Sequence, residues 1–287
     1  MMTSRTLEPT PVIKRQQLQD ITVTILSDGY LEGNFALLNG IETDQAEALL
    51  TASGVSPLPR MNINACVVET AGHTILIDSG TGTPDGASGV LPAALAAAGI
   101  DPRRIDTVLL THGHRDHIGG LAGPQQTPLF SNVQRLFVHE KELAFWRDET
   151  LYASAPEGLK RSYDIARNAF SAYDDRLVTF KQEDILPGIQ AVSLFGHTPG
   201  HSGFLLGNEK DALLIWGDIV HFPHIQIARP DVSIAYDRDP ALAAKTRSAL
   251  LDRVATDNIA VCGMHFNLPT TAKLSRSGKS YALHYAM

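Results

Sequence analysis

Three histidines and an aspartate occupy the six positions from His112 to His117, in the segment HGHRDH. The segment directly follows the apolar run TVLL at residues 107–110. Residues two apart in an extended segment point to the same side, so His112, His114 and Asp116 can converge. His117 can then approach from another direction. Imidazole nitrogens with a carboxylate oxygen suit zinc, manganese or iron, so the segment predicts a metal site.

Three distant segments offer matching ligands, each where an apolar run ends. LFGHTPGHSG presents His197, LLIWGDIVH presents Asp218 and AVCGMHFNLP presents His265. Side chains at strand ends are held in place by the sheet and yet remain open to a cleft, as a catalytic site requires. These three residues are therefore predicted to complete the metal site.

Composition and charge limit the classes of function. Of the 287 residues, 44% are hydrophobic and 19% are charged, which is typical of a globular protein. A net charge of −7 and the lack of a Lys/Arg run argue against a nucleic-acid partner. The two cysteines, Cys66 and Cys262, lack CxxC spacing and are interpreted as isolated buried thiols. The metal ligands are therefore expected to be nitrogen and oxygen atoms.

No membrane segment or leader is predicted. Residues 1–20 contain no apolar core or small-residue cleavage site of the secretory kind. No run approaches the ~18 consecutive apolar residues that a membrane span needs. The expected location is the cytoplasm, unless a leader has been removed.

The elements that must position the ligands alternate between strands and helices. Apolar or alternating runs predict strands at 21–29, 63–80 (a hairpin), 106–110, 134–140, 189–207, 212–218 and, last, 258–266. Helical spacing predicts helices at 43–51, 88–100, 140–149, 156–175 and 239–255. This order predicts an α/β fold with helices covering sheets. Residues 1–19 are predicted to be an N-terminal arm and 20–287 a single domain.

The motifs THGHRDH and GHTPGHS, the Gly-Asp pair at Asp218 and a final strand-end histidine, in this order, resemble the metallo-β-lactamase superfamily. The resemblance covers about residues 62–268 and implies an αββα sandwich, with two mixed sheets flanked by helices. It also implies two metal sites. The first would be held by His112, His114 and His197, the second by Asp116, His117 and His265, and Asp218 would bridge them.

Within that superfamily, the chain looks most like the methyl parathion hydrolase group and its lactonase relatives. VLLTHGHRDHIGGL, FVHEKELAFW, GHTPGHSGF and the long stretch after Asp218 carry this likeness. The resemblance implies a homodimer with two divalent ions per chain, zinc first, with manganese, iron or cobalt as alternatives. Two such ions can share a bridging water and turn it into a hydroxide nucleophile. Asp116 is expected to orient that hydroxide and to carry a proton to the leaving group.

Other polar residues are assigned supporting roles. Asp78, at the end of TILID, is predicted either to accept a hydrogen bond from a ligand histidine or to cap a turn. The resemblance leaves His201 to brace its loop. Acyl-homoserine lactonases of this superfamily place a tyrosine three positions beyond the bridging aspartate, where this chain has His221. That departure argues against a standard acyl-homoserine lactonase. His221 is interpreted as a catalytic donor or proton shuttle, or as part of the pocket rim.

Four aromatic residues are expected to flank the metal cleft: Phe145, Trp146, Phe222 and Phe266. An aromatic pocket suits a hydrophobic ester, lactone or organophosphate triester. The sequence therefore predicts a binuclear hydrolase of such small molecules, with no nucleic-acid or membrane partner. The alternatives are a glyoxalase II-like thioester hydrolase and a mononuclear iron persulfide dioxygenase. An RNA-processing nuclease of this superfamily would need a basic exosite, which the acidic balance disfavours.

Overall fold

The computed structural model describes residues 12–182, 184–208, 211–278 and 280–286. The strands are β1 (Ile13–Leu18), β2 (Ile21–Glu32), β3 (Leu38–Asn39), β4 (Arg60–Glu69), β5 (Thr74–Ile77), β6 (Ala87–Ser88), β7 (Thr107–Leu109), β8 (Arg135–His139), β9 (Leu177–Phe180), β10 (Asp184–Leu186), β11 (Ile189–Ser193), β12 (Ser202–Leu206), β13 (Leu213–Ile215), β14 (Ser233–Ile234), β15 (Ala260–Cys262), β16 (Ala272–Ser277) and β17 (Ser280–Tyr285). The helices are α1 (Thr43–Ala52), α2 (Leu91–Ala97), α3 (Arg115–Ile118), α4 (Glu140–Arg147), α5 (Glu149–Ser154), α6 (Glu157–Ala172), α7 (Pro223–Gln226) and α8 (Pro240–Thr256).

Two mixed sheets face each other. The described strands of the first sheet have the order β1-β2-β4-β5-β7-β8-β9, with β6 beside β2, and those of the second have the order β10-β11-β12-β13-β15-β16-β17. Strands β5, β7 and β8 are parallel neighbours in the first sheet, as are β13 and β15 in the second. The carboxyl ends of parallel neighbours meet at one sheet edge. The loops that carry the predicted ligands leave the sheets at such edges.

The strands bury both faces, and this builds four layers. Along β4, Ala65 and Val67 pack under the helices of the first sheet, whereas Cys66 and Val68 pack between the two sheets. In β13, the outward Leu214 packs in the cluster that α8 joins. The order is therefore helices, sheet, sheet, helix. The predicted αββα sandwich is confirmed.

The chain beyond residue 266 contains two further strands, so the prediction that 258–266 is the last strand is wrong. Strands β16 and β17 form an antiparallel hairpin that turns at Gly278. The signal was present in the sequence: Ala272 and Leu274 are buried and alternate with exposed neighbours. At the other end, β1 pairs with β2 over Ile13–Leu18. Residues 13–18 of the predicted 1–19 arm therefore form a sheet strand, and residues 1–11 lie outside the described residues.

Strand β2 continues past the predicted end at residue 29, and the Asp28-Gly29 pair lies inside it at a shift in the register with β4. Gly29 has φ +98° there, and a Cβ would lie 1.8 Å from the Ala87 carbonyl oxygen. The buried Asp28 carboxylate accepts hydrogen bonds from backbone N–H groups, including those of Thr81 and Leu91. An Asp-Gly pair often forms a turn, but here the hydrogen bonds to the buried Asp28 carboxylate favour a continuous strand. These bonds come from residues distant in the sequence, so the local pair does not reveal them.

Cys66 and Cys262 are not isolated from each other. Both are fully buried between the sheets, and their Sγ atoms lie 3.8 Å apart. Burial of the two thiols was predicted correctly, but their contact across 196 residues was not. None of the helices in the described residues is long and apolar enough to span a bilayer.

Candidate metal centre

The HGHRDH segment changes from extended chain to helix within itself. His114 is the extended residue before α3, and its carbonyl oxygen accepts hydrogen bonds at 3.0 Å from both His117 and Ile118. His112 and His114 therefore project from the extended part. Asp116 and His117 project from the short helix, which gives them the second direction of approach that was predicted.

The first group of ligand atoms comes from His112, His114, His197 and Asp218. His114 Nδ1 lies 3.0 Å from His112 Nε2 and 2.9 Å from His197 Nε2. His197 Nε2 is 3.4 Å from Asp218 Oδ2. Tetrahedral zinc with Zn–N bonds near 2.0–2.1 Å separates its ligand atoms by about 3.3 Å. The convergence of three imidazole nitrogens at this spacing fits one ion.

The second group comes from Asp116, His117, Asp218 and His265. Asp218 Oδ1 lies 3.1 Å from His117 Nε2, and Asp218 Oδ2 lies 3.2 Å from His265 Nε2. His117 Nε2 and Asp218 Oδ1 are buried and have no hydrogen-bond partner. Leaving such atoms unpaired is costly, and a cation between them would satisfy both. Asp218 belongs to both groups, which is the bridging position expected of it.

The second ring nitrogen of each of three ligand histidines is held by an acceptor. His117 Nδ1 lies 2.7 Å from Asp78 Oδ2, and His197 Nδ1 lies 2.9 Å from Asp237 Oδ1. The third, His265 Nδ1, lies 2.6 Å from a backbone carbonyl oxygen, that of residue 62. Each contact leaves Nε2 free to bind an ion. This is the contact that the outer-acceptor prediction for Asp78 requires, whereas Asp237 was missed because nothing in the sequence links it to His197.

His201 and Thr111 stabilise the backbone of the site. His201 Nδ1 donates to the Leu194 carbonyl oxygen at 2.8 Å, and His201 Nε2 accepts from the Asp218 N–H at 2.8 Å. It is in neither ligand group and braces the loop, as the resemblance implied. Asp78 also accepts from the N–H and the hydroxyl of Thr111, so it fixes the start of the histidine loop as well.

Glu142 connects two of the metal loops and was missed in the sequence. Its buried carboxylate accepts hydrogen bonds from the N–H groups of Gly113 and Gly200, both at 2.9 Å. It also accepts from Trp146 Nε1 at 2.6 Å and from the Thr198 hydroxyl at 2.7 Å. A Cβ on Gly113 would lie 2.3 Å from Trp146 Nε1, so the loop must carry glycine there. The only indication of this role in the sequence was that a glutamate occupies the face of α4 that is buried.

Burial and nearby charge act in opposite directions on the ionisable groups. Burial lowers the pKa of His114 and of His201, each to about 3. Burial also opposes the charged form of His197, but hydrogen bonds to Asp218 and Asp237 outweigh it and raise its pKa to about 9. Burial alone would raise the pKa of Asp218, yet the histidines around it, His117 first, hold it well below its ordinary value. Ionised carboxylates among imidazoles are the ligand set that cations bind.

A cleft of about 490 Å³ opens onto both ligand groups. Its walls are largely apolar, formed by Leu31, Met61, Phe145, Trp146 and Leu159. Phe145 thus lies where it was predicted, whereas Trp146 borders the cleft but is fully buried. Asp116, with 17% of its side chain exposed, faces the cleft, whereas Asp218 is only 3% exposed.

Two of the predicted pocket residues lie in the core instead. Phe222 is buried against Phe35, with ring centroids 5.7 Å apart. Phe266 is buried against Trp216, at 5.5 Å. Both follow a ligand loop in sequence, but an apolar ring gains more from full burial than from a half-open wall. The prediction that these two line the cleft is therefore wrong.

The cleft also contains polar residues that the sequence did not single out. Arg115 and Arg238 line it, as does Tyr236. Arg115 is paired with Asp85 at 2.6 Å. The Arg238 guanidinium lies 5.8 Å from the centre of the Phe145 ring.

His221 lies in the cleft beside the bridging carboxylate. Its Nε2 is 3.3 Å from Asp218 Oδ2, and its ring stacks on that of His265 with centroids 5.0 Å apart. Its Nδ1 is buried and has no hydrogen-bond partner. Burial lowers the pKa of His221 to about 4, so the ring is neutral near pH 7 and has one N–H and one acceptor nitrogen.

Comparison with known proteins agrees with this centre. The family model of the metallo-beta-lactamase superfamily matches residues 58–265. A solved structure of the hydrolase AbOPH of the beta-lactamase superfamily is 27% identical, with a TM-score of 0.90, over 97% of this chain and 98% of that one. AidC, a dizinc quorum-quenching lactonase, has a TM-score of 0.88 over 96% and 98% of the two chains; at 24% identity it shows the fold alone.

Two curated relatives match over shorter stretches. The N-acyl homoserine lactonase of Bacillus cereus is 28% identical over 121 residues, which are 42% of this chain and 40% of that protein. The ribonuclease Z of Clostridium kluyveri is 40% identical over 75 residues, which are 26% of this chain and 22% of that protein. The matched stretch thus spans only about a fifth of the length of that ribonuclease.

Proposed function

The chain belongs to the metallo-β-lactamase superfamily, and from this membership and the site we propose that it is a binuclear metal-dependent hydrolase. Its proposed substrates are hydrophobic lactones or aryl esters, with organophosphate triesters as an overlapping class. One observation carries the proposal: two complete ligand groups share Asp218 on the floor of an apolar cleft. Similarity to the hydrolase AbOPH supports hydrolysis, and similarity to part of a lactonase supports an ester bond as its target.

Each polar residue has a defined task in this reaction. Divalent ions bound to the two groups would supply an activated water as the nucleophile and polarise the carbonyl or phosphoryl bond. Asp116, the carboxylate that faces the cleft, accepts a proton from the nucleophile and returns it to the leaving group. Asp218 sets the spacing of the two groups, with its backbone held by His201. His221 acts as a positioning residue by donating from Nε2 to Asp218.

The walls of the cleft favour an uncharged, apolar substrate. Phe145, Leu31 and Leu159 offer an apolar surface to the acyl or aryl group, with the buried Trp146 and Met61 packed beside them. A thioester of similar shape remains the second candidate, because the same groups would attack its carbonyl carbon. The complete second group, with Asp116, His117 and His265, favours the hydrolase over the mononuclear iron dioxygenase.

Ribonuclease activity is a further candidate because of the local ribonuclease Z match. A net charge of −7 opposes the binding of the RNA phosphate backbone, and one of the two arginines in the cleft is paired with Asp85.

Zinc is the proposed ion because the ligands are imidazole and carboxylate groups in near-tetrahedral spacing. A homodimer is proposed from the family resemblance and is tested by sedimentation of the purified protein.

The test combines metal analysis with a substrate panel on one preparation. Bound metals are counted, and dihydrocoumarin, methyl paraoxon, an acyl-homoserine lactone, a thioester and a precursor tRNA are assayed. Each assay is repeated after chelation and after metal is restored. The proposal is supported if each chain binds two zinc ions and turns over the aryl lactone or the phosphotriester in a metal-dependent way. One iron per chain without hydrolysis, or turnover of the RNA alone, refutes it.

A further inference from the structure

Tyr236 lies on the wall of the cleft and carries a hydroxyl group that the reaction described above does not use. Its side chain is 46% exposed. In the described part of the chain, it is the one aromatic residue among the exposed large hydrophobic side chains. Aromatic rings with a polar tip are frequent contacts for bound molecules, since one side chain offers apolar surface and a hydrogen bond.

The backbone on both sides of Tyr236 is fixed to the metal centre. The N–H of Asp237 donates to the Ile234 carbonyl oxygen, and the N–H of Arg238 donates to the His197 carbonyl oxygen, both at 2.9 Å. The Asp237 carboxylate accepts from the Ile234 N–H at 3.1 Å while it holds His197 Nδ1. Tyr236 thus sits in a turn whose neighbours support a metal ligand. Its position relative to that ligand is set by this turn and not by a free loop.

The Tyr236 hydroxyl has no hydrogen-bond partner among the described residues. Its ring centroid lies 6.5 Å from that of His221, which itself contacts Asp218. Asp116 lines the same cleft. A neutral phenol can both donate and accept. The hydroxyl is therefore available to an oxygen atom of a molecule bound between this wall and the ligand groups.

We propose that the Tyr236 hydroxyl donates a hydrogen bond to the carbonyl oxygen of the ester or lactone in the cleft; this rests on the proposed function. When the nucleophile forms its bond to the carbonyl carbon, the C=O π pair moves to that oxygen and makes it anionic. The phenol keeps its proton throughout and only strengthens its hydrogen bond. A donor already in place stabilises this charge more than it stabilises the neutral substrate. Tyr236 therefore acts on kcat more than on KM.

The experiment compares Tyr236→Phe with the wild type, both loaded with metal and with their metal content measured. Each is assayed with an aryl ester and with the matching thionoester, in which sulfur replaces the carbonyl oxygen. Sulfur is a weak hydrogen-bond acceptor, so a contact to this atom is lost in the thionoester. Tyr30→Phe is the control: Tyr30 stacks on Arg60 at 4.4 Å and borders a different hollow.

We expect Tyr236→Phe to lower kcat for the oxygen ester about 100-fold, the lower end of the loss for removal of one such donor. KM, metal content and Tm should stay close to wild type, and the thionoester rate should change less than about threefold. Tyr30→Phe should resemble the wild type. Equal losses with both substrates, a change in KM alone, or no loss would overturn the role of Tyr236 while leaving the hydrolase intact. No ester turnover by the metal-loaded wild type would overturn the proposed function and this role with it.

Discussion

His117 Nδ1 lies 2.7 Å from Asp78 Oδ2, and neither side chain is exposed to solvent. The contact fixes the tautomer of the imidazole, because a carboxylate can only accept from it. It also fixes the ring orientation, so that Nε2 faces Asp218 at 3.1 Å. Asp78 comes from the end of β5 and His117 from α3, which makes the second ligand group depend on two neighbouring strands of one sheet.

Asp78→Asn should weaken metal binding at the second ligand group. An amide can still accept from His117, but it lacks the charge that increases the basicity of the ring. Outer contacts of this kind contribute about 10- to 100-fold to metal affinity. Titration of the metal-free protein against a chelator of known affinity should therefore show the larger loss of affinity at the second ligand group. A smaller loss is expected at the first group, because Asp78 also accepts from Thr111 at the start of the histidine loop.

Asp237→Asn is the matched comparison, because Asp237 holds His197 of the first group in the same way. Crystals of each variant with one metal equivalent should place the ion in the opposite group: the first for Asp78→Asn and the second for Asp237→Asn. If both variants lost metal from the same site, the hypothesis that Asp78 and Asp237 each support a different ligand group would be wrong.

Glu142→Gln should destabilise the protein and disturb both metal loops. The carboxylate receives two backbone and two side-chain hydrogen bonds, and an amide would turn a donor toward at least one of those donors. A buried unsatisfied group costs about 1–3 kcal/mol, so the free energy of unfolding should fall by roughly that amount. Urea denaturation of the metal-loaded proteins measures it.

Glu140→Gln is the control for Glu142→Gln on the same helix. Glu140 is 44% exposed and pairs with Lys181 at 3.6 Å. Exposed ion pairs contribute about 0–1 kcal/mol, so this variant should remain near the wild type in stability and in metal content. Similar losses in the two variants would mean that the four contacts of Glu142 do not stabilise the site.

The convergence of the candidate ligands was predictable from the sequence because they belong to local motifs at strand ends. HGHRDH places four ligands within one turn from strand to helix, and apolar runs precede His197, Asp218 and His265. The four-layer fold followed from the order of strands and helices and from the family resemblance. Residues 65–68 of β4 and the whole of β13 show the reason: strand segments that are covered on both faces have continuous apolar sequences.

The supporting contacts were not predictable, because each joins residues far apart in the chain. Asp237 reaches His197 across 40 residues, and Glu142 reaches Gly113 and Gly200 across 29 and 58. No local pattern distinguishes such a carboxylate from a solvated one. The same limit explains Phe222 and Phe266, whose sequence position beside ligand loops did not reveal that their rings turn into the core.

Removal of the metals should lower stability as well as abolish hydrolysis. Five histidines and two carboxylates converge, and two of their buried atoms, His117 Nε2 and Asp218 Oδ1, have no hydrogen-bond partner among the described residues. An ion that binds only the folded state at 1,000 times its Kd adds about 4.1 kcal/mol per site. Thermal unfolding of the chelated and the reconstituted protein should show a rise in Tm that grows with free zinc. An unchanged Tm would contradict a folded-state metal site.

Asp106 is expected to give part of the stability a dependence on pH away from the metal centre. Its carboxylate accepts from the Thr74 N–H at 2.8 Å and from the Thr107 hydroxyl at 2.6 Å, and it lies 2.9 Å from His73 Nδ1. Partial burial alone would raise the pKa of Asp106, but these contacts, Thr107 first, lower it below its ordinary value. A carboxylate whose folded pKa is lowered stabilises the fold above its unfolded pKa, near 3.9, and this stabilisation is lost as pH falls through the folded pKa.

Asp106→Asn should therefore be less stable than the wild type at pH 7, by about 1 kcal/mol for partly exposed hydrogen bonds to a charged group. The difference should be constant down to about pH 5 and shrink toward pH 3, as the wild-type carboxylate loses its charge. Urea denaturation of both proteins at each pH measures it, and the metal ligands, which both share, cancel in the difference. Asp175→Asn, at a side chain that is 80% exposed, is the control and should follow the wild type throughout. If the difference in unfolding free energy between the two proteins grew as pH falls, the pKa of Asp106 would be raised by folding and not lowered. The fold would then favour the protonated carboxyl group.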